Sequence, residues 1–372
     1  MACLAVIALA LAMPGCKGRG SNDIVLGALT ARTGERAAWG EDLFRGIELA
    51  VEQINLRGGV LGRRVRIASV DDASHDEQVA GMVTRLIDRE GAVAVFGEIS
   101  TAACERAAHI AQRRSVPFIA AGNTSRDLSR IGDFVFRTAL TDGEQATALA
   151  HYARTTLQKR RAAVVYRRSS WVNLGIADAF TQSFRAAGGE VVLRDTIEGE
   201  DTELVALAGR VRTANVDLVF IPANAVDAAR LSLALRHGRV TAQIIGTDSW
   251  NSPDLRRYEP EAITGVLVTD AYAPMVARPD IEAFQQAFRE RYHAAPGTFA
   301  ALGFDAVRWT LSAAARVPVL DARGLRDALA GSRLDEGVLG PMEVDARRAL
   351  TRTTNILRVE PEGFSFVASV PP

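Results

Sequence analysis

Residues 93–108 read V-A-V-F-G-E-I-S-T-A-A-C-E-R-A-A and place two adjacent hydroxyls, Ser100 and Thr101, where an apolar run ends at Gly97 and an alanine-rich helical pattern begins. A helix opening at the carboxyl end of a buried strand offers unpaired N–H groups and the positive end of its dipole. With two hydroxyls beside them, these can hold a small anion such as a carboxylate. The same residues also fit a plain N-cap, which Ser and Thr supply for local reasons. Other polar or aromatic groups fall at the ends of strand-like runs: Gly122 and Thr124 in the turn 121–124, Trp171, Asn224, and Asp248 after Gly246-Thr247.

None of these composes an enzyme's constellation. His75, His109, His151, His237 and His293 are scattered, with no H-E-x-x-H or C-x-x-C spacing for a metal. There is no G-x-S-x-G elbow and no phosphate-binding loop, and the glycines of 58–62 lead into a strand rather than a helix. Asp71 and Asp72 could form a metal or acid–base pair. Neighbours on a strand face opposite ways, however, which favours loop capping. Cys104 sits among alanines on a helix and reads as a small buried hydrophobe. The expectation is a non-enzyme with no cofactor and no metal.

The elements that must position these groups follow from periodicity. Apolar runs at 24–29, 65–70, 93–96 and 116–119 alternate with helical patterns at 39–56, 77–89 and 102–113. The alternation restarts with strands at 162–166, 191–194, 217–221, 243–245 and 265–269 and helices at 144–156, 176–187, 202–213 and 225–237. Three helical patterns follow from 280, and strands at 355–359 and 364–367 close the chain. Short, wholly apolar strands between helices mean parallel sheets covered on both faces. Two such series mean an α/β protein of two doubly wound, Rossmann-like lobes, whose carboxyl strand ends can face each other across a cleft. The 372 residues suffice for two cores. The 44 basic and 44 acidic residues cancel, and no basic tract is interleaved with aromatics, so nucleic acid is not an expected partner.

The run 46–62, G-I-E-L-A-V-E-Q-I-N-L-R-G-G-V-L-G, joins a helical pattern to a double-glycine turn. Together with Gly27-Ala28-Leu29-Thr30, Trp39-Gly40, Asp71-Asp72, residues 97–101 and 117–128, and Phe304-Asp305-Ala306-Val307, it makes the chain resemble the periplasmic leucine/isoleucine/valine-binding proteins. The resemblance runs from about Ile24 to at least Val359. It implies the type I periplasmic binding protein fold, two lobes joined by three crossovers, here 24–140 with 273–335 and 141–272 with 336–372. It also implies an amino-acid receptor for an ABC permease and ATPase, acting as a monomer. The ligand carboxylate then falls to Thr101 and Thr124, and its ammonium to the carbonyl of Gly122 and to Asp248. Trp39, Trp171 and Phe299 close over the ligand. Such a dipolar ligand needs hydroxyls and helix N–H groups at one end and a carboxylate at the other, and both are present. Departures from the family pattern surround the side-chain pocket: Trp39 and Trp171 replace tyrosines, Asn224 stands where an aromatic is often found, and Glu98 replaces proline or histidine. The same fold also serves ligand-sensing receptor domains that act with a separate signalling partner.

Residues 2–13 are almost purely apolar, too short to span a bilayer, and lead to Met13-Pro14-Gly15-Cys16 and a polar stretch, 17–23. This is similar to a bacterial lipoprotein signal over 1–16, the alternative being an ordinary secretory signal. Cleavage before Cys16 would leave that thiol to carry lipid, tethering the chain to the membrane without crossing it.

Overall fold

The computed structural model describes residues 22–372 apart from 199, 200, 253, 254, 256, 259 and 347; the apolar leader and Cys16 lie outside the described residues. The first lobe holds strands β1 (Ile24–Thr30), β2 (Val65–Asp71), β3 (Ala94–Gly97), β4 (Phe118–Ala120) and β5 (Val135–Arg137). They form one parallel sheet in the order β2-β1-β3-β4-β5, and β1 is buried along its whole length. Helices α1 (Ala37–Leu56), α2 (Val79–Asp88) and α3 (Thr101–Arg114) connect the strands and cover the sheet.

The second lobe holds β6 (Arg161–Tyr166), β7 (Glu190–Thr196), β8 (Leu218–Ile221), β9 (Gln243–Gly246) and β10 (Leu267–Asp270), all parallel to their neighbours. Its helices are α4 (Asp142–Thr155), α5 (Trp171–Ala186), α6 (Asp201–Thr213), α7 (Ala225–His237) and the short α8 (Pro260–Ile263). Two final strands, β14 (Thr354–Glu360) and β15 (Gly363–Val370), extend it antiparallel at the β10 edge. Between the two passes the chain returns to the first lobe. There it forms α9 (Pro279–Tyr292), α10 (Thr298–Ala314), α11 (Ala322–Leu329) and a small antiparallel sheet of β11 (Ser332–Leu334), β12 (Met342–Val344) and β13 (Leu350–Arg352).

This small sheet alters the lobe boundary expected at 336. Met342, Val344 and Leu350 pack into the core of Ile24, Leu26, Ile47 and Phe304. The last crossing therefore comes at Thr353. Three-residue strands are too short to show a period, which is why sequence pattern alone passed over them.

The chain thus crosses between lobes three times, after β5, after β10 and between β13 and β14, and buried polar bonds tie the crossings together. The Arg352 guanidinium donates to the carbonyls of Thr138 (2.8 Å) and Leu339 (3.1 Å), linking the first and third crossings. Burial depresses its pKa to about 10. Asn355 Nδ2 donates to the Ala271 carbonyl (3.0 Å), linking the third to the second.

One close approach sets the cleft wall of the first lobe. Helices α1 and α10 touch at Gly46, where an added Cβ would lie 2.0 Å from the Ala300 carbonyl oxygen, and at Gly303, where it would lie 2.5 Å from that of Leu43. The Asp42 carboxylate accepts from the amides of Gly297 (3.2 Å) and Ala300 (2.9 Å), satisfying two orphan donors at the start of α10. Both helices therefore begin side by side. That brings Trp39 and Phe299 together, with ring centroids 6.4 Å apart.

Candidate ligand-binding cleft

Between the lobes lies a cavity of about 640 Å³, whose walls include Trp39, Thr101, Gly122, Thr124, Asn224, Asp248 and Phe299. Seven of the nine ligand residues expected from sequence thus share one cavity. Trp171 lines an adjoining chamber of about 1000 Å³ that shares Thr101, Thr124 and Asp142 as walls, and its ring is 71% exposed at the first turn of α5. Ser100 is not among the residues lining either chamber. Its hydroxyl accepts from the Ala103 amide and donates to Asp76 (2.8 Å), so it is the N-cap of α3.

The first-lobe end is built for an acceptor. The buried Glu98 carboxylate takes the amides of Ala31, Ile99 and Ser100, holding the β3–α3 loop against the end of β1; burial raises its pKa. The amides of Thr101 and Ala102, in the first turn of α3, have no intrahelical partner. Asn123, which sequence reading did not single out as a ligand residue, organises the hydroxyl. Its Nδ2 donates to the Ile99 carbonyl (2.8 Å) and to Thr101 Oγ1 (3.2 Å), which leaves the Thr101 proton to point elsewhere. Gly122 packs closely under the aromatic wall: a Cβ there would lie 3.1 Å from the Phe299 ring, which would have to shift to admit it. Asp71, beside this end, caps the loop after β1, accepting from the Arg32 amide (2.9 Å) and the Thr33 hydroxyl (2.9 Å).

The second-lobe end is acidic. Thr141 and Glu144 form a reciprocal capping box that starts α4 at Asp142. One turn then carries both Asp142 and Gln145 to the cleft. Gln145 Nε2 donates to Asp248 Oδ2 (2.8 Å), and its oxygen accepts from Thr269 (2.7 Å). The Thr124 hydroxyl lies close enough to Asp142 to favour its charged form. Neither carboxylate forms an ion pair with the described residues. Burial, then the negative charge of Asp248, pushes Asp142 up to about 7, and burial also raises Asp248. Asp270 at the second crossing is raised to about 6 by burial, although the Tyr272 amide, Asn251 and Thr298 all donate to it. Asn224 lines the cleft but is an N-cap: it accepts from the Asp227 amide and donates to the Asp227 carboxylate, both at 2.9 Å.

Among the described residues no group of three or more His, Cys, Asp or Glu is arranged to hold a metal ion, and no helix is long and apolar enough to cross a membrane. Cys104 is buried, its thiol donating to the Glu98 carbonyl.

Over residues 23–363 the chain matches the family described as periplasmic binding protein. It belongs to that family. A Leu/Ile/Val-binding protein of Rhizobium johnstonii is 28% identical over 301 residues, covering 81% of this chain and 78% of that protein. An amino acid binding protein of Pseudomonas aeruginosa is 26% identical over 287 residues, 76% of each. Among solved structures, an ABC transporter substrate-binding protein from Desulfitobacterium hafniense in complex with Leu is 26% identical, with a TM-score of 0.81 over 93% of this chain and 100% of that one. The architecture is that of the type I periplasmic binding proteins, and the cavity between the crossings is their interlobe cleft.

The raised carboxylates make a signed prediction for the ligand-free periplasmic binding protein. A carboxyl group with a raised folded pKa contributes stability that is fully present below the unfolded value, near 3.8 for Asp142, and lost as pH rises through about 7. Asp142→Asn should therefore be more stable than wild type at pH 8 by about 1 to 3 kcal/mol, discounted for the solvent the cleft admits, and close to it at pH 4. Urea unfolding at the two pH values measures this. Equal wild-type and variant stabilities at pH 8 would refute the desolvated pair.

Proposed function

We propose that this protein is the extracytoplasmic receptor of an ABC importer and that it closes its lobes around an amino acid or a related small amide. One observation carries the reading: the cleft opposes a hydroxyl and a helix start at Thr101 to two desolvated carboxylates, Asp142 and Asp248. A zwitterion complements both ends at once. Its ammonium meets Asp248 from one side and the Gly122 carbonyl from the other, drawing the lobes together. Its carboxylate takes the Thr101 hydroxyl and the free amides of α3. A purely acidic solute would set a second negative charge against Asp142 and Asp248. The relatives described as binding amino acids, and the structural neighbour holding Leu, support the same class of ligand. Trp39 and Phe299 supply an apolar wall for the rest of the ligand. On closure Trp171 completes the wall from the opposite lobe, and hinge closure buries the ligand and forms the surface that a permease recognises.

The experiment is calorimetry with an amino acid found by thermal-shift screening, since a ligand that binds only the native state raises its melting temperature. Asp248→Asn keeps the shape and removes the charge, and should weaken binding by about 2 to 4 kcal/mol. Thr101→Val should cost about 1 to 3 kcal/mol, because the helix amides remain. Unchanged affinity in Asp248→Asn would disprove the ammonium assignment.

The anchor is part of the same proposal: lipid on Cys16 keeps the receptor beside its permease. Cys16→Ser should release the protein into the soluble fraction or block leader removal. Retention on the membrane with normal processing would exclude lipidation at that residue.

A further inference from the structure

Arg167 follows β6 directly and lines the same cavity as Trp39, Phe299 and Asp248. No sequence pattern singled it out, and the head-group scheme above does not use it. Two of its three guanidinium nitrogens are taken. Nε donates to Asp227 Oδ2 (2.7 Å) and Nη2 to Asp227 Oδ1. Asp227 itself is almost fully buried and also accepts from Asn224, in the first turn of α7. That fork-to-fork pair, backed by a helix start, fixes the plane of the guanidinium. Nη1 has no hydrogen bond to the described residues and is open to solvent. Asp227 neutralises the charge of Arg167, and Glu198 lies close enough to act on it electrostatically. Because Arg167 lines the cleft, the nitrogen its pair leaves over is the preoriented donor it can offer there.

The cavity is correspondingly two-sided. The first lobe contributes the aromatic and aliphatic wall of Trp39, Ile99, Phe299 and Leu302; the second sets Arg167, Ser249 and Asn251 beside the small side chains of Ala225 and Val226. Closing the lobes over an aliphatic side chain would strip water from Nη1 and put nothing in its place. A buried donor left unpaired is costly, and sites built on one reject ligands that lack the matching acceptor. We propose that Arg167 is the specificity-determining residue of this cleft and that it selects an amino acid whose side chain ends in a hydrogen-bond acceptor, a carboxylate or an amide carbonyl, over an aliphatic one. The inference rests on the amino-acid reading above and narrows it.

Calorimetry on the purified protein with glutamate, glutamine, methionine and leucine tests it. Wild type should bind glutamate or glutamine at least tenfold more tightly than methionine, which has a similar length and no such acceptor. A preference for glutamate over glutamine would show that the donor pairs with charge, and the reverse that it reads a neutral carbonyl; both support the proposal. Arg167→Met should erase the tenfold margin while leaving the affinity for methionine within about threefold. Because that change strands the Asp227 carboxylate, the double variant Arg167→Met, Asp227→Asn is measured beside it, with thermal unfolding as the check of folding. The double variant should also lose the margin. Methionine or leucine binding as tightly to wild type as the acceptor-bearing ligands overturns this inference alone. So does an equal loss for all four ligands in both variants, which would make Arg167 a brace between β6 and α7. Binding of none of the four overturns the amino-acid reading and this inference with it.

Discussion

Two carboxylates, Asp142 and Asp248, stand together in the interlobe cleft with no ion-pair partner among the described residues, Arg137 acting on Asp142 only electrostatically, and the proposed function turns on that cost. Each has a neutral group beside it, the Thr124 hydroxyl near Asp142 and the Gln145 amide bonded to Asp248. Such groups orient a carboxylate without discharging it. Burial already raises the pKa of each, so a cation must meet the pair or the acids must take up protons. In the proposed function a ligand ammonium meets that need and couples binding to closure.

The crossings determine how such a local charge can act over a whole lobe. Arg352 and Asn355 bond across the three passages of the chain, and Asp270 accepts from Asn251 of one lobe and Thr298 of the other. Each lobe has its own apolar core, and a small hydrogen-bonded knot joins the three passages; crossings of this kind are where a two-lobed fold opens and closes. The first-lobe wall is equally stiff, because the Gly46 and Gly303 contacts leave no room for α1 and α10 to slide. Trp39 and Phe299 are presented as one surface.

Much of this architecture was legible in the sequence because parallel strands covered on both faces read as unbroken apolar runs, β1 and β8 being clear cases. What escaped was short: β5 is three residues and the sheet of β11, β12 and β13 has no run long enough to show a period. Apolar periodicity starts α4 only at Glu144 and so leaves Asp142 outside the helix, although the spacing of Thr141 and Glu144 is a capping signature visible in the chain. Ser100 and Asn224 have residue types that suit a ligand and a cap equally; in the fold their side-chain oxygens cap their own helices, Ser100 away from the cavity and Asn224 on its wall. Arg167 and Glu98 could not have been placed from pattern, since their roles depend on partners 60 and 67 positions away.

The most direct test of the account is a crystal structure of the protein with a bound amino acid. The account predicts the ligand in the interlobe cleft, its ammonium within about 3 Å of the Asp248 carboxylate and its carboxylate at the Thr101 hydroxyl and the first amides of α3. A ligand seated with its carboxylate toward Asp142 and Asp248, or bound outside the cleft, would contradict it.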